Sequence, residues 1–478
     1  MQHWQTVIAL LVTFTSLAAA VHALLNKREP RAALGWCALS LLVPLVGPLL
    51  YVVFGINRVQ AVARRLRLHE KRTPGQGGYP PPPAGTPEWL HPLVRLSGSL
   101  QHWPMTAGNK VVELHNGNQA YPEMIAAVES ARERIYLSSY IFDTNKSGMM
   151  FVDALAAAVQ RGLDVKVLVD GIGELYSWPR IGRVLRKHGI PVRRFAPPSV
   201  LPPSIRINLR NHRKILVADN QIAFAGGMNI GDRHVVASED STRGKKRHDV
   251  VDIHFRFEGD IARQLQQVFL EDWAKTEGSV APPMPDVETA SAASQTGALC
   301  RVLTDGPGED MDKLIAVLTG AVSAARDRVL VMTPYFLPPR ELTGAMVAAS
   351  LRGVEVTIIL PEKNNLPVVH WATQRMLWEV LRWGVRVYYQ PGTFAHSKIL
   401  IIDNDYVQIG SANLDPRSLR LNFELAVEII DQKLVSRLAK HCLSVKARSK
   451  EITSADLDRL PLPVRLRNSL AWLFSPYL

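Results

Sequence analysis

Two stretches of this sequence each place a histidine two residues before a lysine and seven residues before an aspartate. In both stretches a glycine and an asparagine follow, fourteen and seventeen residues after the histidine. The first set is His212, Lys214, Asp219, Gly226 and Asn229, and the second is His396, Lys398, Asp403, Gly410 and Asn413. Chance does not repeat five residue types at five identical spacings, so we expect the two sets to serve one chemistry.

The spacing within each set predicts a face that combines an imidazole with a cation. Residues two apart on a β-strand point to the same side, so His212 projects with Lys214 and His396 with Lys398. The opposite side then holds the apolar residues Ile215, Val217, Ile399 and Ile401. A lysine repels a metal cation but attracts an anion, and phosphate is the anion that both groups suit. The pattern therefore predicts a phosphate site rather than a metal site.

Neighbouring residues fit such a site, through close backbone approach at the glycines and amide donors at the asparagines. These candidate phosphate contacts are Gly226, Gly227, Asn229, Gly410, Ser411 and Asn413. One motif alone could still be a solvated strand edge, but its duplication argues against that. Two histidines that meet at a pseudo-two-fold axis supply what double displacement needs, namely one nucleophile and one group that is first acid and then base.

The motifs lie in two blocks that resemble each other. The stretch "VESARERIYLSSYIF" (128–142) matches "VSAARDRVLVMTPYF" (322–336), and "RGLDVKVLVDG" (161–171) matches "RGVEVTIILPE" (352–362). Helical patterns alternate with strands rich in Val, Ile and Leu, which is typical of α/β units with helices covering a sheet. An internal duplication is the economical explanation and predicts two tandem α/β domains related by pseudo-two-fold symmetry.

Composition predicts the boundaries between these parts. Residues 1–60 are expected to form a membrane anchor, and 61–104 a linker that is first basic and then rich in Pro and Gly. The first repeat would cover 105–277 and the second 298–478, with 278–297 as the linker between them. A net charge of +13 favours a polyanionic partner, either nucleic acid or an anionic lipid surface. The three cysteines form no CxxC pair, which argues against a disulfide framework.

The N-terminus favours the lipid surface. Residues 7–25 contain His22 as their one ionisable side chain, and residues 32–54 contain no charge. Each stretch is long enough to cross a hydrocarbon layer of about 30 Å, which predicts a transmembrane helical hairpin. Pro44, Gly47 and Pro48 leave a kinked or re-entrant second segment open. A cleaved signal peptide is the alternative for the first segment, but the opening "MQHW" lacks Lys and Arg.

Charge around the anchor predicts its orientation. A basic cluster follows the second segment, made of Arg58, Arg64, Arg65, Arg67, Lys71 and Arg72. The positive-inside rule then places the catalytic part in the cytoplasm, although Lys27, Arg28 and Arg31 argue more weakly for the reverse. At the other end of the chain, Leu466, Leu470, Leu473 and Tyr477 recur at helical spacing beside two arginines. This tail is expected either to lie on a membrane surface or to dock on the protein's own core.

Taken together, the duplicated HxKxxxxD motif resembles that of the phospholipase D superfamily. The wider context is similar to bacterial cardiolipin synthases, in "PRAALGWCALSLLVPLVGPLLYVVFG", in both catalytic motifs and in the ending "RLRNSLAWLFSPYL". The resemblance implies a multi-pass enzyme of the bacterial inner membrane that needs no metal or organic cofactor. It implies transfer of a phosphatidyl group from one phosphatidylglycerol to another.

The same resemblance implies individual roles. His212 would attack phosphorus to form a phosphohistidine, and His396 would protonate the departing glycerol and later deprotonate the acceptor. Lys214, Lys398, Asn229 and Asn413 would hold the phosphate oxygens, together with Gly227 and Ser411. The motif aspartates, Asp219 and Asp403, belong to the catalytic signature, and we expect them to act as structural partners within it.

The family also places an acidic residue after each motif to orient the histidine. Glu424 in "NFE" fits this role in the second repeat, and Asp249 in "KKRHDVVD" is the prediction for the first. The sequence departs from the family in having Gly226-Gly227 where Gly-Ser is common, and Lys246-Arg247-His248 where an aromatic residue is common. The second departure could signal a different acceptor.

Other functions compete with this interpretation. With water as acceptor the same chemistry gives a phospholipase D, and with another alcohol it gives a different phospholipid. A phosphodiesterase acting on nucleic acid fits the +13 charge but not the two hydrophobic segments, and no nucleic-acid-binding module is recognisable. A lipid-binding scaffold without activity predicts a decayed second motif, yet all five positions are intact in both copies.

Overall fold

The computed structural model describes residues 2–27, 29–55, 81–101, 103–200, 203–204, 208–236, 249–283, 297–307 and 312–475. The predicted basic cluster 58–72, the first part of the Pro/Gly-rich linker, the basic run 242–248, most of the second linker and Tyr477 lie outside these residues. The chain divides into two compact units, Met1–Arg67 and Leu68–Leu478.

Apolar helices form the first unit. They are α1 (Gln2–Asn26), α2 (Pro30–Leu42) and α3 (Val46–Leu50), followed by a single π-helical turn at Tyr51–Gly55. Among the described residues, α1 is the helix long and apolar enough to cross a membrane, with a mean hydropathy of 2.2. The second hydrophobic segment is not one continuous spanning helix, because α2 ends before Pro44 and Leu45 adopts a φ of 71°. A proline there removes a backbone donor and stops the helix.

The first repeat alternates helices and strands. Helix α4 (His91–Leu100) precedes it, within the predicted linker, and packs into the core of the second repeat. The elements of the first repeat are β1 (Thr106–His115), α5 (Asn116–Ser130), β2 (Arg134–Ser139), α6 (Lys146–Gln160), β3 (Asp164–Asp170), α7 (Ile181–Lys187), β4 (Val192–Phe195), β5 (Ser199–Val200), β6 (Pro203–Ser204), β7 (Ile215–Ala218), β8 (Ile222–Gly226), β9 (Val250–Val251), β10 (Ile253–Glu258) and α8 (Asp260–Glu277). Three-residue or four-residue 3-10 turns occur at Glu88–Leu90, Gly173–Tyr176 and Asp232–His234.

The second repeat follows the same plan. Its elements are β11 (Ala298–Asp305), α9 (Lys313–Ala324), β12 (Arg328–Met332), α10 (Arg340–Leu351), β13 (Glu355–Pro361), α11 (Pro367–Met376), α12 (Trp378–Leu381), β14 (Arg386–Gln390), β15 (Phe394–Ala395), β16 (Ile399–Ile402), β17 (Tyr406–Gly410), α13 (Pro416–Arg420), β18 (Glu424–Ile430), α14 (Gln432–Ala447), β19 (Lys450–Ile452), α15 (Ser454–Asp458) and α16 (Leu462–Leu473). The matched "RGLDV" and "RGVEV" stretches act alike, since Gly162 and Gly353 end α6 and α10 at positive φ before β3 and β13 begin.

Fifteen of the strands form one mixed sheet. Its order is β19-β14-β13-β12-β16-β17-β18-β11-β1-β10-β8-β7-β2-β3-β4. Apart from the edge strand β19, equivalent strands of the two repeats appear in reverse order on either side of the β11–β1 pair. The motif strands β7 and β16 therefore occupy equivalent places in the two halves of the sheet.

Helices cover both faces of this sheet, as the alternating pattern predicts. On one face, β7 and β16 present Ile215, Val217, Ile399 and Ile401 to a single core that also holds apolar side chains of α8 and α14. The predicted apolar side of the motif strands is thereby confirmed. On the other face, α5 and α6 pack over the first repeat and α9 and α10 over the second. Burial on both faces fixes the strand register that positions the motifs.

Candidate active site

Both motif histidines lie just before a central strand of their own repeat. His212 stands three residues before β7, and His396 three residues before β16. The backbone N–H of His212 donates to the carbonyl oxygen of Phe423 at 3.0 Å, and that of His396 donates to Val251 at 2.8 Å. Each histidine is thus held by backbone from the opposite repeat.

Each imidazole also contacts a carboxylate from the opposite repeat. The Nδ1 atom of His212 lies 3.1 Å from Glu424 Oε1, and that of His396 lies 3.0 Å from Asp252 Oδ2. Both carboxylates are fully buried, whereas the two imidazoles remain 13% exposed. A carboxylate beside Nδ1 favours the tautomer with the proton on that nitrogen, which leaves the Nε2 lone pair for chemistry.

Asp252, rather than the predicted Asp249, orients His396. Strand β9 pairs in parallel with β15, so Val251 lies opposite Ala395 and the next residue along reaches the imidazole. Asp249 precedes β9 and stands three residues too early. Glu424 also contacts a motif histidine, but that histidine is His212 of the other repeat, and a parallel bridge between Asn211 and Phe423 brings the two together.

The motif aspartates lie at the far ends of the motif strands and do not contact the histidines. Asp219 accepts hydrogen bonds from the backbone N–H groups of Arg132, Glu133 and Arg134, at 2.7 to 2.9 Å. Asp403 accepts from the equivalent N–H groups of residues 326–328, at 2.8 to 3.0 Å. A strand rises about 3.3 Å per residue, so seven residues separate these carboxylates from the imidazoles by roughly 20 Å. They hold the start of β2 and β12 and are structural, as expected within the motif.

Removing this structural contact should cost stability and leave the chemistry intact. We expect Asp403→Ala to lower the free energy of unfolding by about 3 kcal/mol, because three backbone donors lose a charged acceptor. Thermal unfolding in detergent measures this, with Asp403→Asn as a control that retains one acceptor oxygen. At a temperature where both variants are folded, kcat should stay within about twofold of wild type, since no step of the reaction contacts residue 403. A large loss of kcat in a stably folded variant would contradict the structural role.

The two lysines lie against the imidazoles. Lys214 Nζ donates to the carbonyl oxygen of His212 at 2.6 Å, and Lys398 Nζ lies 3.0 Å from both ring nitrogens of His396. Burial lowers the pKa of Lys214 to about 7 and that of Lys398 to about 8, against the opposing pull of nearby carboxylates. Each lysine also lowers the pKa of the histidine in the other repeat, so the two motifs form one site.

Electrostatics set the resting charge of the acids and imidazoles. Burial lowers the pKa of His212, and burial together with the charge of Lys398 lowers that of His396 to about 4. Burial alone would raise the pKa of both acids. At both acids this effect is outweighed by the hydrogen bond from the histidine and by the charge of a nearby lysine, Lys398 at Asp252 and Lys214 at Glu424, so both pKa values fall. Neutral imidazoles therefore rest on ionised carboxylates at neutral pH.

Some of the residues predicted to contact phosphate keep donors available, and others use their polar groups to bond to the protein. Asn229 uses its Oδ1 to accept from the N–H of Ile141 at 3.0 Å, which leaves its amide hydrogens as donors. Asn413 is buried, and its Nδ2 lies 3.2 Å from Ser418 Oγ. Ser411 does not offer its hydroxyl to a phosphate as predicted. That hydroxyl donates to Glu424 Oε2 at 2.5 Å, so it holds the acid that orients His212.

Gly227 occupies the position equivalent to Ser411, and the structure explains the departure. A Cβ atom on Gly227 would lie 2.8 Å from Asp252 Oδ2 and 3.2 Å from the carbonyl oxygen of His396. The absence of a side chain therefore lets the Asp252 carboxylate approach the backbone closely. This is a packing role beside the acid, and the residue is not thereby shown to contact phosphate.

Several site residues went unrecognised in the sequence. The ring of Tyr140 lies edge-on to His212 with centroids 5.0 Å apart, and the ring of Phe394 lies 5.9 Å from that of His396. Arg213, between the motif histidine and lysine, is buried, pairs with Asp272 at 2.8 Å and donates to the backbone oxygen of Glu424. The sequence did contain a signal for Arg213, namely a charged residue directly before an apolar strand, because such a residue is buried only together with a partner.

The lowered lysine pKa values predict an alkaline limit to activity. A lysine loses its charge as pH rises through its pKa, and a neutral amine holds a phosphate oxygen less well. We expect kcat/KM to fall above a pH of about 7, where Lys214 loses its charge, and more steeply above about 8, where Lys398 loses its charge. In Lys398→Arg the guanidinium stays charged, so the steeper part of the alkaline limb should disappear whatever the absolute rate. The control Lys363→Arg, at an exposed site, should keep the wild-type profile; identical profiles in all three proteins would contradict this assignment.

Comparisons with known proteins agree with this geometry. The sequence matches the family described as "Cardiolipin synthase, PLD-like domain" over residues 124–273 and 318–445, and "Phospholipase_D-nuclease N-terminal" over 15–55. It is 31% identical to cardiolipin synthase A of Pseudomonas syringae pv. syringae, over 96% of this chain and 95% of that one. With cardiolipin synthase A of Pseudomonas putida GB-1 it shares 30% identity, over 98% and 97%. A phosphatidylserine synthase of Haemophilus influenzae shares the fold, with a TM-score of 0.61 and 17% identity over 81% of this chain and 100% of that one.

Proposed function

Because this chain belongs to the bacterial cardiolipin synthases of the phospholipase D superfamily, we propose that it makes cardiolipin from two molecules of phosphatidylglycerol and releases glycerol. It is a membrane-associated phosphatidyltransferase of the phospholipase D type. The proposal concerns the two substrates, the phosphohistidine intermediate and the residues that carry it.

The first half of the reaction forms a covalent enzyme. His212 Nε2 attacks the phosphorus of one phosphatidylglycerol, a P–N bond forms, and the bond to the glycerol headgroup oxygen breaks. His396, protonated when the anionic substrate is bound, gives its Nε2 proton to that oxygen, and glycerol leaves. Both imidazoles are held through Nδ1, but Lys398 Nζ lies 3.0 Å from Nε2 of His396 and engages the lone pair that attack by His396 would need, which favours His212 as the nucleophile.

The second half reverses the roles of acid and base. His396 accepts the proton from a headgroup hydroxyl of a second phosphatidylglycerol, whose oxygen attacks phosphorus. The P–N bond then breaks, and cardiolipin leaves with His212 restored. Lys214, Lys398, Asn229 and Asn413 hold the phosphate oxygens through both steps, where fixed charges are most effective because they need no reorganisation.

The observation that carries this proposal is the crossed pairing of each imidazole with a buried carboxylate from the other repeat. Two such imidazoles, each with Nδ1 held and each beside a lysine, form one site that suits an anionic phosphodiester. The reversed strand order of the two halves further supports a pseudo-two-fold axis between β1 and β11. For the anchor, we propose that α1 crosses the inner membrane, that the broken second segment completes a multi-pass anchor and that the catalytic part lies in the cytoplasm.

Product analysis tests the substrates directly. Purified full-length protein receives phosphatidylglycerol alone in detergent micelles, and the lipid and water-soluble products are resolved. Cardiolipin and free glycerol in equal amounts support the proposal. Phosphatidic acid without cardiolipin would mean that water is the acceptor, and the synthase assignment to phosphatidylglycerol would fall. Failure to turn over phosphatidylglycerol at all would overturn the proposed donor.

A further inference from the structure

A series of aromatic ring contacts, called here the aromatic path, connects His212 with exposed apolar side chains in the first repeat. From His212 the path passes the Tyr140 ring at 5.0 Å and then the Tyr176 ring, whose centroid is 6.4 Å from that of Tyr140. Tyr176 belongs to the turn after β3, where Leu175 is 46% and Trp178 78% exposed. Against the described part of the chain, this tryptophan buries only a small share of its surface.

An equivalent path leads out from the second repeat. The His396 ring neighbours Phe394, whose ring centroid is 6.5 Å from that of Tyr335. The Tyr335 hydroxyl donates to Asn365 Oδ1 at 2.7 Å, in the segment that follows β13. The next residues along, Leu366 and Val368, are 42% and 41% exposed. Both repeats therefore present apolar side chains from the segment after the same strand, β3 or β13.

The C-terminal helix extends this apolar surface. The α16 helix docks through Asn468 and Ala471, which are buried, and through Arg467, which lies over the Trp371 ring of α11 at 4.4 Å. Its leucines point away from the protein and are 56% to 66% exposed, namely Leu462, Leu466, Leu470 and Leu473. One face of the helix therefore docks on the protein's core, which is one of the two expected behaviours, while the leucines stay exposed within the described chain.

The two helices run parallel, which links the stripe to the mouth of the site. Contacts pair Trp371 with Arg467 and, one turn further along both helices, Arg375 with Trp472. Leu462 at the start of α16 consequently lies toward the end of α11 that carries Val368. We call Leu175, Trp178, Leu366, Val368 and the four leucines of α16 the apolar rim.

We propose that the apolar rim is the surface by which the catalytic unit docks onto a phospholipid bilayer. This inference rests on the proposed function, because phosphatidyl transfer needs a phosphodiester that stays tethered to two acyl chains. A surface of exposed Leu and Trp beside basic residues is suited to the boundary between headgroups and acyl chains, about 5–10 Å deep. Exposed cations at Arg180, Lys363 and Arg465 lie in or beside the same segments and match an anionic bilayer.

Docking at the rim would place the aromatic paths at headgroup depth. A lipid could then offer its phosphate to the histidines while its acyl chains stay in the bilayer or against the rim. The rim should therefore matter for lipids in a bilayer and not for a short-chain lipid dissolved as a monomer. That difference separates docking from a role in the chemistry, which would affect both substrates.

The kinetic test compares these two forms of phosphatidylglycerol in the full-length protein. The variants are Leu175→Ser with Trp178→Ser in one repeat and Leu366→Ser with Val368→Ser in the other. We expect kcat/KM for long-chain lipid in vesicles to fall about tenfold in each double variant and kcat/KM for monomeric dihexanoyl lipid to stay within about twofold. Leu351→Ser is the matched control, because Leu351 is 64% exposed but precedes β13, at the opposite end of the strand from Leu366.

The outcomes separate the inference from the proposed function. Equal activity of the double variants and the control on vesicles would overturn docking at the rim, as would equal losses on both substrates. Turnover of neither substrate by the wild type would overturn the proposed function instead. Docking can still be measured in that case by tryptophan fluorescence. The protein is reconstituted into phosphatidylglycerol vesicles whose acyl chains carry bromine, which quenches a tryptophan that enters the bilayer. The Trp178 signal, taken as the difference between wild type and Trp178→Phe, should be quenched by roughly half, and an unquenched Trp178 would overturn the inference.

Discussion

Replacing His212 by alanine is expected to lower kcat for cardiolipin formation by at least about 10⁴-fold. The variant loses the atom that forms the P–N bond, and no neighbouring side chain can replace it. Lys214 is the nearest alternative nucleophile, but its Nζ already donates to the His212 carbonyl oxygen. The neighbouring Glu424 carboxylate is fully buried and is engaged by His212 Nδ1 and the Ser411 hydroxyl.

His396→Ala should lower the same rate by about 10³-fold to 10⁴-fold, and the two variants should differ in what they leave behind. Protein is mixed with phosphatidylglycerol that carries a labelled phosphate, quenched in base and digested. A label on the peptide with His212 in wild type, and its absence in His212→Ala, supports attack by this histidine. A good leaving group in place of glycerol should restore labelling in His396→Ala, because the proton donor is then no longer needed.

His188→Ala provides the matched control. This histidine is exposed at the end of α7, and its ring bonds to the Val184 carbonyl oxygen on its own helix. We expect unchanged rates and labelling in this variant. Label on the peptide with His396 in wild type would reverse the assigned roles, and retention of more than about 1% of activity in His212→Ala would exclude the covalent mechanism proposed here.

Local sequence patterns predict the motif strands well because each pattern has a direct physical cause. Alternation of apolar residues places Ile215 and Val217 in the core, and this leaves His212 and Lys214 together on the other side. The repeated "RG" before each parallel strand ends a helix at a positive φ, which glycine adopts without strain. The α/β alternation, and the placement of each motif histidine beside its lysine, could therefore be predicted before any tertiary contact was known.

Contacts between the two repeats could not be predicted in the same way. Nothing local indicates that Glu424 of one repeat should contact His212 of the other, since the bridge between Asn211 and Phe423 joins segments more than 200 residues apart in sequence. The broken second hydrophobic segment is a similar case. Composition shows that residues 32–54 are apolar, but the end of α2 at Leu42 depends on the geometry around Pro44.

Asp252 was not predicted to contact a histidine, although the strand register shows that it is equivalent to Glu424. Gly226 pairs with His254 and Gly410 pairs with Ala426, so the acids two residues before each partner, Asp252 and Glu424, are equivalent. The first repeat has twelve more residues between its asparagine and its acid, which hid this equivalence in the sequence. Of the two acids in "DVVD", the one followed by alternating core residues is the one that meets the histidine.

The strongest test of this correction compares two substitutions three residues apart. Asp252→Asn is expected to lower kcat by about 10³-fold, whereas Asp249→Asn should lower it less than tenfold. An amide beside Nδ1 no longer stabilises a positively charged imidazole, and its NH₂ can donate to Nδ1 and shift the proton to Nε2. His396 would then be unable to accept a proton from the incoming hydroxyl.

A pH profile distinguishes this positioning role from loss of structure. The Asp252 charge and hydrogen bond raise the pKa of His396 against burial and Lys398, which hold it at about 4. Without that charge the pKa of His396 falls further. The step that needs protonated His396 should then slow at a lower pH in Asp252→Asn than in wild type, so kcat declines earlier as pH rises. KM should change less than about threefold. Asp252→Glu, which keeps the charge, should recover part of the rate. If Asp249→Asn shows the larger loss and Asp252→Asn the smaller, then Asp249 orients His396 during turnover, and the contact between Asp252 and His396 does not describe the working enzyme.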